Sequence, residues 1–350
     1  MNNMKKVNCF SIFLGFVLLS INIKAQDVHF SQAYETPLYL SPANTGFFNG
    51  YFRAIINYRN QWASMNKAFV TQGISLDGGL FKSKKRPAFM GMGLTIFNDQ
   101  AGVAKIRKTT ALLNLSGLVK IGKFHALSVG LAGGTAASNG NYSNLTSESQ
   151  FNGNTIDNNF VSSETPYRQF TTVDVATGVA YEFNKFKRDQ DHDDVTSFKL
   201  AFGAFHLNKP VQEFGAGSSY RLPIRLAYSF TSLFDIEDTK FSITPTLIFQ
   251  TQAKAQELLI GSYVKYRMST GTKVTGQKTQ NAIGFGMFYR RKDALIPKLI
   301  FDIGDFSLGM SYDFNVSGYR TSSRGFGGPE ISIRYNNLAS SLFESRKEFR

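Results

Sequence analysis

Residues 306–315, FSLGMSYDFN, carry a large apolar side chain at every second position and a small or polar one between. Residues 330–335, EISIRY, repeat this alternation close to the end of the chain. Successive side chains of a β-strand point to opposite faces, so both segments predict strands with one apolar and one polar face. A soluble sandwich buries such apolar faces between two sheets, whereas a membrane barrel turns them outward to lipid. The alternation alone therefore leaves two architectures open.

The composition favours the membrane barrel. The chain of 350 residues contains 31 Gly, 33 Phe and 15 Tyr, and only 18% of its residues are charged. Glycine suits crowded barrel walls, and Phe and Tyr suit lipid-facing bands and membrane interfaces. This length would also hold two soluble domains, but a single large barrel needs as much. No stretch after residue 25 has 18 uninterrupted apolar residues, so no membrane-spanning helix is predicted.

The first 25 residues have the features of a signal peptide. Lys5 and Lys6 precede an apolar run at residues 9–23, which is shorter than the roughly 20 residues of a spanning helix. We predict cleavage after Ala25, which removes the only cysteine, Cys9, and leaves 36 basic and 25 acidic residues. This positive balance suits anionic outer-membrane lipid or an acidic partner segment. Nucleic acid is excluded as a partner because an exported chain would not meet it.

Turn residues divide the remaining chain into about fourteen strand-like segments. About 23 residues are available per strand, ample for a span of 9 to 11 residues and a turn. We therefore predict an all-β fold, a transmembrane antiparallel up-and-down β-barrel of about 14 strands over residues 51–335. Residues 26–50 would form a periplasmic lead-in or plug segment, and residues 336–350 a periplasmic C-terminal tail. The predicted strands are 51–58, 69–78, 89–98, 109–121, 125–138, 170–183, 197–207, 224–234, 241–251, 258–269, 281–290, 295–303, 306–314 and 330–335.

The connections predict an orientation in the bacterial outer membrane, with the N- and C-termini periplasmic. The longest linker, residues 139–167, is then external, and the tight turns at residues 122–124, 235–238 and 304–305 are internal. Long external loops and short internal turns are usual in such barrels. Three longer charged connections also fall inside and are either periplasmic contact surfaces or merely solvated turns. They are residues 82–86, 185–194 and 270–280.

Two blocks after the predicted cleavage site carry a family resemblance. The first is QDVHFSQAY at residues 26–34 followed by PLYLSPANTG at 37–46, and the second is NYRNQW at 57–62. They resemble the PorP/SprF family of outer-membrane proteins of type IX secretion, although Ser41 stands where the family usually has Asn. HLNKP at 206–210 and SYDF at 311–314 fit in order. The motif residues are Asp27, Phe30, Ser31, Gln32, Tyr34, Pro37, Leu38, Pro42, Ala43, Gly46, Asn57, Tyr58, Arg59, Gln61, Trp62, His206, Pro210, Tyr312 and Asp313.

The resemblance implies a non-enzymatic accessory subunit of the type IX secretion and gliding machinery. Such a subunit helps to export a large adhesin and holds the C-terminal domain of this client at the cell surface. The resemblance also implies contact with other secretion components, including a peptidoglycan-linked periplasmic partner. A porin-like channel for small solutes is the alternative. The external loops that would form a docking rim are residues 60–67, 139–167, 208–221 and 315–327.

The sequence predicts no catalytic, cofactor or metal site. The four histidines at 29, 125, 192 and 206 are too scattered for a metal centre. The acidic turn at 189–194 lacks the glycine and terminal glutamate of a calcium loop. A lipid hydrolase at the rim would need His206 beside Ser229 or Ser232, and nothing else in the sequence marks such a pair.

Charged residues recur on the polar faces of the predicted strands. Both signs are present, which suits cross-strand pairs in a hydrated lumen. The charges either fill the pore or bind a guest. They are Arg53, Asp174, Glu182, Arg225, Lys265, Arg267, Arg290, Lys298, Asp302, Asp313, Glu330 and Arg334.

Overall fold

The chain folds into a sheet of fourteen antiparallel strands that closes on itself. The computed structural model describes residues 27–62, 69–82, 87–102, 104–140, 148–157, 169–188, 193–215, 218–237, 239–268, 281–317 and 325–337. The predicted signal peptide and most of the predicted C-terminal tail lie outside these residues. The strands are β1 (Phe52–Gln61), β2 (Phe69–Leu80), β3 (Ala88–Ala101), β4 (Ile106–Ile121), β5 (His125–Asn139), β6 (Phe170–Arg188), β7 (Asp193–Phe205), β8 (Val211–Gly215), β9 (Ser218–Arg221), β10 (Arg225–Asp235), β11 (Phe241–Gln252), β12 (Ala255–Arg267), β13 (Ala282–Arg290), β14 (Ala294–Ile303), β15 (Phe306–Asn315) and β16 (Phe326–Asn336).

Closure is made by β1, which pairs with β2 on one side and β16 on the other. Ile56 of β1 lies opposite Ile74 of β2 and Ile333 of β16. A closed sheet has no unpaired edge, as a sheet within lipid requires. None of the helical turns in the described part of the chain is long and apolar enough to cross a membrane. The predicted fold class and strand number are confirmed.

The hairpin β8–β9 is the one pair of described strands outside the barrel. Its two strands pair only with each other, and the barrel continues directly from β7 to β10. The sequence predicts an external loop at these residues, 208–221. The strands have five and four residues, too few for an alternating pattern to stand out from a polar loop.

The outer face of the barrel is apolar. In β13 the side chains of Ile283, Phe285, Met287 and Tyr289 are exposed, whereas Phe288 between them is buried. Strands β2, β3 and β5 repeat this arrangement, with exposed aliphatic side chains at alternate positions. Large apolar side chains exposed in a continuous band are those of a lipid-facing wall. The apolar side chains of residues 306–315 therefore point outward to the membrane.

The two ends of the barrel differ. We call the end where β1 begins and β16 ends the base, and the opposite end the mouth. The predicted tight turns at residues 122–124 and 304–305 lie at the base, and the long β5–β6 connection lies at the mouth. The mouth also has short connections, at residues 253–254 and 291–293, so loop length separates the two ends only in part. Many residues of the other connections predicted at the mouth and at the base lie outside the described ranges.

Residues 27–50, which we call the lumen segment, lie inside the barrel. Gln32 contacts β16 through Glu330, and Ser41 contacts β7 through the carbonyl oxygen of Phe202. These strands are seven positions apart in the ring of fourteen, so they form opposite walls. The segment is built from helical turns at Ala33–Glu35, Pro37–Leu40 and Pro42–Asn44. Proline suits the first position of each of the last two turns because its missing N–H has no helical partner there.

The lumen segment crosses the barrel from one end to the other. Asp27 contacts Lys108 near the start of β4 and Arg225 at the start of β10, both at the mouth. At its other end, the carbonyl oxygen of Gly50 accepts a hydrogen bond from Lys82 at the base. Asp27 and Asn337, the outermost described residues, therefore lie at opposite ends of the barrel. The prediction that both termini are periplasmic concerns residues outside the described ranges; within those ranges, the chain passes through the lumen before β1 begins.

Glycines in the wall let the lumen segment approach closely. A Cβ atom at Gly91 would overlap the main chain at Thr45, and one at Gly130 would overlap the main chain between Pro42 and Ala43. Only glycine permits this contact between two backbones. The seat of the lumen segment is thus shaped by the wall as well as by the segment itself.

Phe285 tests the direction of the apolar face. We expect Phe285→Arg to destabilise the barrel in lipid by about 2–4 kcal/mol, because a charge near the middle of a spanning strand faces hydrocarbon. Phe285→Leu, which keeps the face apolar, is the matched control. The measurement is urea unfolding of both variants in lipid vesicles. Equal stability of the arginine variant and the control would contradict an outward-facing Phe285.

Candidate functional site in the occupied lumen

Asp27 anchors the lumen segment at the mouth. Its carboxylate lies 2.9 Å from Nζ of Lys108, 2.8 Å from Nε2 of His206 and 3.3 Å from Nε of Arg225. Burial alone would raise the pKa of Asp27, but Lys108, His206 and Arg225 hold it well below its usual range. Asp27 is therefore an anion bound by three groups that lie far apart in the sequence.

His206 is held between two carboxylates. Its Nε2 lies 2.8 Å from Asp27, and its Nδ1 lies 2.9 Å from Asp174 of β6. Burial would lower the pKa of His206, but the two carboxylates raise it above its usual value. Ser232 donates its own hydrogen bond to the carbonyl oxygen of Ser197 at 2.8 Å. Both ring nitrogens of His206 thus face carboxylates, and the Ser232 hydroxyl is bound to the main chain of β7.

Main-chain N–H groups of the lumen segment bind a carboxylate in β16. The N–H groups of Ser31 and Gln32 donate to Glu330 at 2.6 and 2.9 Å, and Gln32 Nε2 donates to the Glu330 carbonyl oxygen at 3.0 Å. Each of these three bonds joins a main-chain group to a side chain, so none of them is a β-ladder bond. They fix the height of Gln32 against one strand of the wall.

Asp313 joins the lumen segment to two arginines. It accepts a hydrogen bond from the Ser31 hydroxyl at 2.8 Å, and it lies 2.9 Å from Arg59 and 2.5 Å from Arg290. Arg59 also donates to the carbonyl oxygen of His29 at 2.6 Å. Strands β1, β13 and β15 are thereby tied to one short stretch of the segment.

Glu35 is the acidic centre of the next layer. It lies 2.7 Å from Nζ of Lys298 and 2.8 Å from Nη1 of Arg334. Burial alone would raise the pKa of Glu35, but Lys298 and Arg334 lower it to about 2. The ring of Tyr34 stacks on Phe288 with centroids 4.7 Å apart, and the Lys298 ammonium lies 4.2 Å from the centroid of the same Tyr34 ring.

Near the base, wall cations bind the last turn of the lumen segment. Asp77 forms two hydrogen bonds with Arg53, at 2.9 and 2.7 Å, and accepts another from the Gly46 N–H at 2.8 Å. The Arg53 guanidinium lies 4.2 Å from the centroid of the Phe48 ring. Lys82 donates to the carbonyl oxygen of Phe48 at 2.8 Å. Polar contacts with the wall thus hold the lumen segment at the mouth, in the middle and at the base.

The inward charges fall into two groups. The first group binds the lumen segment, so the guest that these charges hold is a part of the same chain. The second group pairs within the wall: Lys265 with Asp302 at 2.6 Å, Arg267 with Asp235 at 2.9 Å, Glu182 with Lys199 at 3.7 Å, and Asp174 with His206 at 2.9 Å. The first group consists of Arg53, Arg225, Arg290, Lys298, Asp313, Glu330 and Arg334.

Several wall charges at this interface were not among the predicted set. Asp77 in β2 and Lys108 in β4 lie on strands whose alternation is less regular in sequence, although Ser75 and Asp77 do share one face. Lys82 follows β2 and Lys199 lies in β7, where it donates to the carbonyl oxygen of Phe47 at 2.5 Å. An alternation count restricted to β2 would have found Asp77, but no local pattern identifies its partner Gly46.

The structure brings together motif residues from distant parts of the chain. Asp27 meets His206, and Ser31 and Arg59 meet at Asp313. Asn57 faces inward and is buried, whereas Tyr58 faces outward and is exposed. Trp62 packs its ring on Phe69 at the mouth, and the ring of Tyr312 packs on Phe314. The buried motif residues of the remaining set are Phe30, Gln32, Leu38, Pro42, Ala43, Gly46 and Pro210, and the half-buried ones are Tyr34, Pro37 and Gln61.

A cavity of about 160 Å³ remains beside the lumen segment at the mouth. It is lined by polar and charged groups, including His29, Gln250 and Glu257. His29 Nδ1 lies 2.9 Å from Glu257, so the lining is itself paired. Within the described ranges, no three His, Cys, Asp or Glu side chains are arranged to hold a metal ion. The acidic turn at 189–192 lies outside those ranges.

Comparison with known proteins gives one family and several barrels. Residues 22–335 match the family described as type IX secretion system membrane protein PorP/SprF. No curated protein matches the chain. Similar solved structures are BamA from Haemophilus ducreyi lacking POTRA domains 1–3, with 8% identity over 83% of this chain and 70% of that chain at a TM-score of 0.41; the TodX monoaromatic hydrocarbon channel deltaS2 mutant, with 6% over 85% and 92% at 0.44; and the CymD monoaromatic hydrocarbon channel, with 10% over 89% and 94% at 0.40.

Glu35 tests how the lumen segment is held. We expect Glu35→Gln to destabilise the folded barrel by about 3–5 kcal/mol at pH 7, because it leaves the buried Lys298 without its carboxylate. Asp293→Asn is the matched control, because Asp293 is partly exposed and its partner Arg290 keeps Asp313. This control should cost under about 1 kcal/mol. The measurement is urea unfolding in detergent micelles.

The wild-type protein and Glu35→Gln together also test the lowered pKa of Glu35. A carboxylate with a lowered pKa stabilises the folded state fully above its ordinary pKa of 4.5, and this contribution is lost as the pH falls toward about 2. The stability difference between the wild type and Glu35→Gln should therefore shrink between pH 5 and about pH 2.5. A difference that stays constant over this range would contradict the ion pairs of Glu35.

Proposed function

The chain belongs to the PorP/SprF family of type IX secretion system membrane proteins, and we propose that it is a non-enzymatic accessory barrel of that machinery. In this proposal the barrel sits in the outer membrane and assists the export and surface attachment of a large adhesin-type client. It holds the client through the client's C-terminal domain and serves gliding motility. The base faces the periplasm, with the C-terminus on that side.

The occupied lumen is the observation that carries the proposal. Phe30, Gln32 and Leu38 of the lumen segment are fully buried, and their neighbours are tied to wall strands on every side. A barrel filled in this way is a rigid body rather than a conduit for a polypeptide. Its work is then done at its two ends, where it can hold other proteins.

The mouth offers the surface for the client. The hairpin β8–β9 connects β7 and β10 there, and the apolar side chains of Leu207, just before it, and Val211, its first residue, are exposed. Exposed apolar groups on a hydrophilic rim are suited to protein contact. The long β5–β6 connection adjoins the same rim. The base, with its charged connections, would meet other secretion components, including a peptidoglycan-linked partner.

Two observations support a role without catalysis. His206 is bound by Asp27 and Asp174 rather than by a nucleophile. The buried acids Glu35 and Asp313 are each bound by two cations. Groups held in this way anchor structure. The porin-like alternative would need a water-filled passage, and the lumen segment occupies that place.

Gene deletion tests the proposal. We expect a strain without this protein to lose the client adhesin from its surface and to stop spreading, and the wild-type gene to restore both. A second strain should carry a barrel in which residues 211–221 are replaced by a short Gly-Ser linker. This strain should keep the folded barrel, seen as heat-modifiable migration in gels, and should retain less adhesin at the surface. The measurement is antibody labelling of the adhesin on whole cells.

Unchanged adhesin and unchanged spreading in the deletion strain would contradict the proposal. Steady ionic conductance of the purified protein in a planar bilayer would in that case support the porin-like channel.

A further inference from the structure

The course of the lumen segment fixes which end of the barrel its N-terminal end occupies. We propose that, after removal of the signal peptide, the N-terminal end of the chain opens at the mouth, on the cell-surface side, while the C-terminal end of the barrel stays at the base. The crossing rests on the contacts of residues 27–50 alone. The assignment of the mouth to the cell surface rests on the proposed function.

The mouth contacts come from the first residues of the segment. Asp27 binds His206, which directly follows β7, and its main-chain N–H donates to Gln252, the last residue of β11, at 3.0 Å. His29 pairs with Glu257 near the start of β12. Strand ends at the mouth therefore surround residues 27–29 on several sides. These residues are half-buried, whereas Phe30 and Ser31 just below them are buried.

The middle contacts connect the two ends of the lumen. Ser31 binds Asp313 in the mouth half of β15, Ser41 binds the carbonyl oxygen of Phe202, and Ala43 accepts from Ser128 near the base half of β5. The descent is not even, because Glu35 pairs with Arg334 near the base end of β16, whereas the carbonyl oxygen of Tyr39, further along the segment, binds Arg225 at the mouth. From Ser41 onward the contacts move from Phe202 in the mouth half of β7 to Ser128 in the base half of β5, so the segment leaves the lumen at the base.

The last contacts of the lumen segment lie at the base. The side chain of Asn336 donates to the carbonyl oxygen of Asn49 at 3.0 Å, and the Tyr51 N–H donates to the carbonyl oxygen of Asn337 at 3.3 Å. The start of β1 and the end of β16 thus lie together, at the end opposite to Asp27. A chain of 24 residues can extend to about 80 Å, well beyond the length of a spanning strand, so the crossing needs no strain.

This topology has a functional consequence. A partner that docks on the mouth can touch the end of the lumen segment directly, whereas a partner at the base meets the start of β1 and the end of β16. Asp27 and Asn337 then face different compartments. An N-terminal tag and a C-terminal tag would report on opposite sides of the membrane.

Cysteine labelling on intact cells tests the topology. The only natural cysteine, Cys9, lies in the predicted signal peptide, so an introduced thiol reports alone. One variant carries a Gly-Ser linker with a cysteine between Gln26 and Asp27, and a second carries the same linker after Asn337. Lys254→Cys marks the mouth and Lys123→Cys marks the base, because both lysines are exposed in tight turns. The probe is a membrane-impermeant maleimide, applied before and after permeabilisation.

We expect the linker before Asp27 and Lys254→Cys to label on intact cells, and the linker after Asn337 and Lys123→Cys to label only after permeabilisation. Labelling of the linker before Asp27 together with Lys123→Cys would overturn the crossing. If that linker tracks Lys254→Cys but both label only after permeabilisation, the crossing stands and the cell-surface assignment, with the orientation in the proposed function, fails. Heat-modifiable migration of each variant shows that the barrel has folded.

Discussion

The structure depends on the pairing of charges that are buried inside a barrel. Removing a charge from water costs several kcal/mol unless a close partner and further hydrogen bonds compensate. Glu35 and Asp313 meet this requirement only because the lumen segment and the wall each supply half of the interaction. A buried ion pair contributes little to net stability, but a buried charge that has lost its partner is costly. They therefore act mainly by excluding other positions of the segment.

Shape and charge act together in seating the segment. Glycines at Gly91 and Gly130 let backbones meet, and the ring of Phe30 packs against Tyr39 and Phe97 with centroids 5.5 and 5.6 Å apart. The apolar contacts pack the lumen segment closely against the wall, and the ion pairs fix its position along the barrel axis. A barrel filled by such a close-packed segment has little freedom to deform. This rigidity is what a platform for other proteins requires, and it relates the interior to the role proposed for the two ends.

The barrel could be predicted from the sequence because its signal is local. Each strand, such as 306–314 or 281–290, shows its own alternation, and the inward charges Arg53, Glu330 and Arg334 appear on the polar faces without any knowledge of the fold. The seat of residues 26–50 could not be predicted in this way. Pro37, Pro42 and Gly46 exclude strand and long helix, but the partners of Asp27 and Glu35 lie up to about 300 residues away. The direction of the segment, which places Asp27 and Asn337 at opposite ends of the barrel, follows only from those distant contacts. Family motifs marked Asp27, Ser31, Arg59, His206 and Asp313 without indicating that they meet.

Amide hydrogen exchange of the protein in lipid nanodiscs tests the central claim most directly, namely that residues 27–50 are a folded part of the barrel interior. The N–H groups of Ser31, Gln32 and Gly46 donate to the buried carboxylates Glu330 and Asp77. Peptides that cover residues 30–47 should therefore exchange as slowly as the strands β13 and β15. Exchange of these peptides at the rate of a solvent-exposed loop, with the strands still protected, would contradict the account.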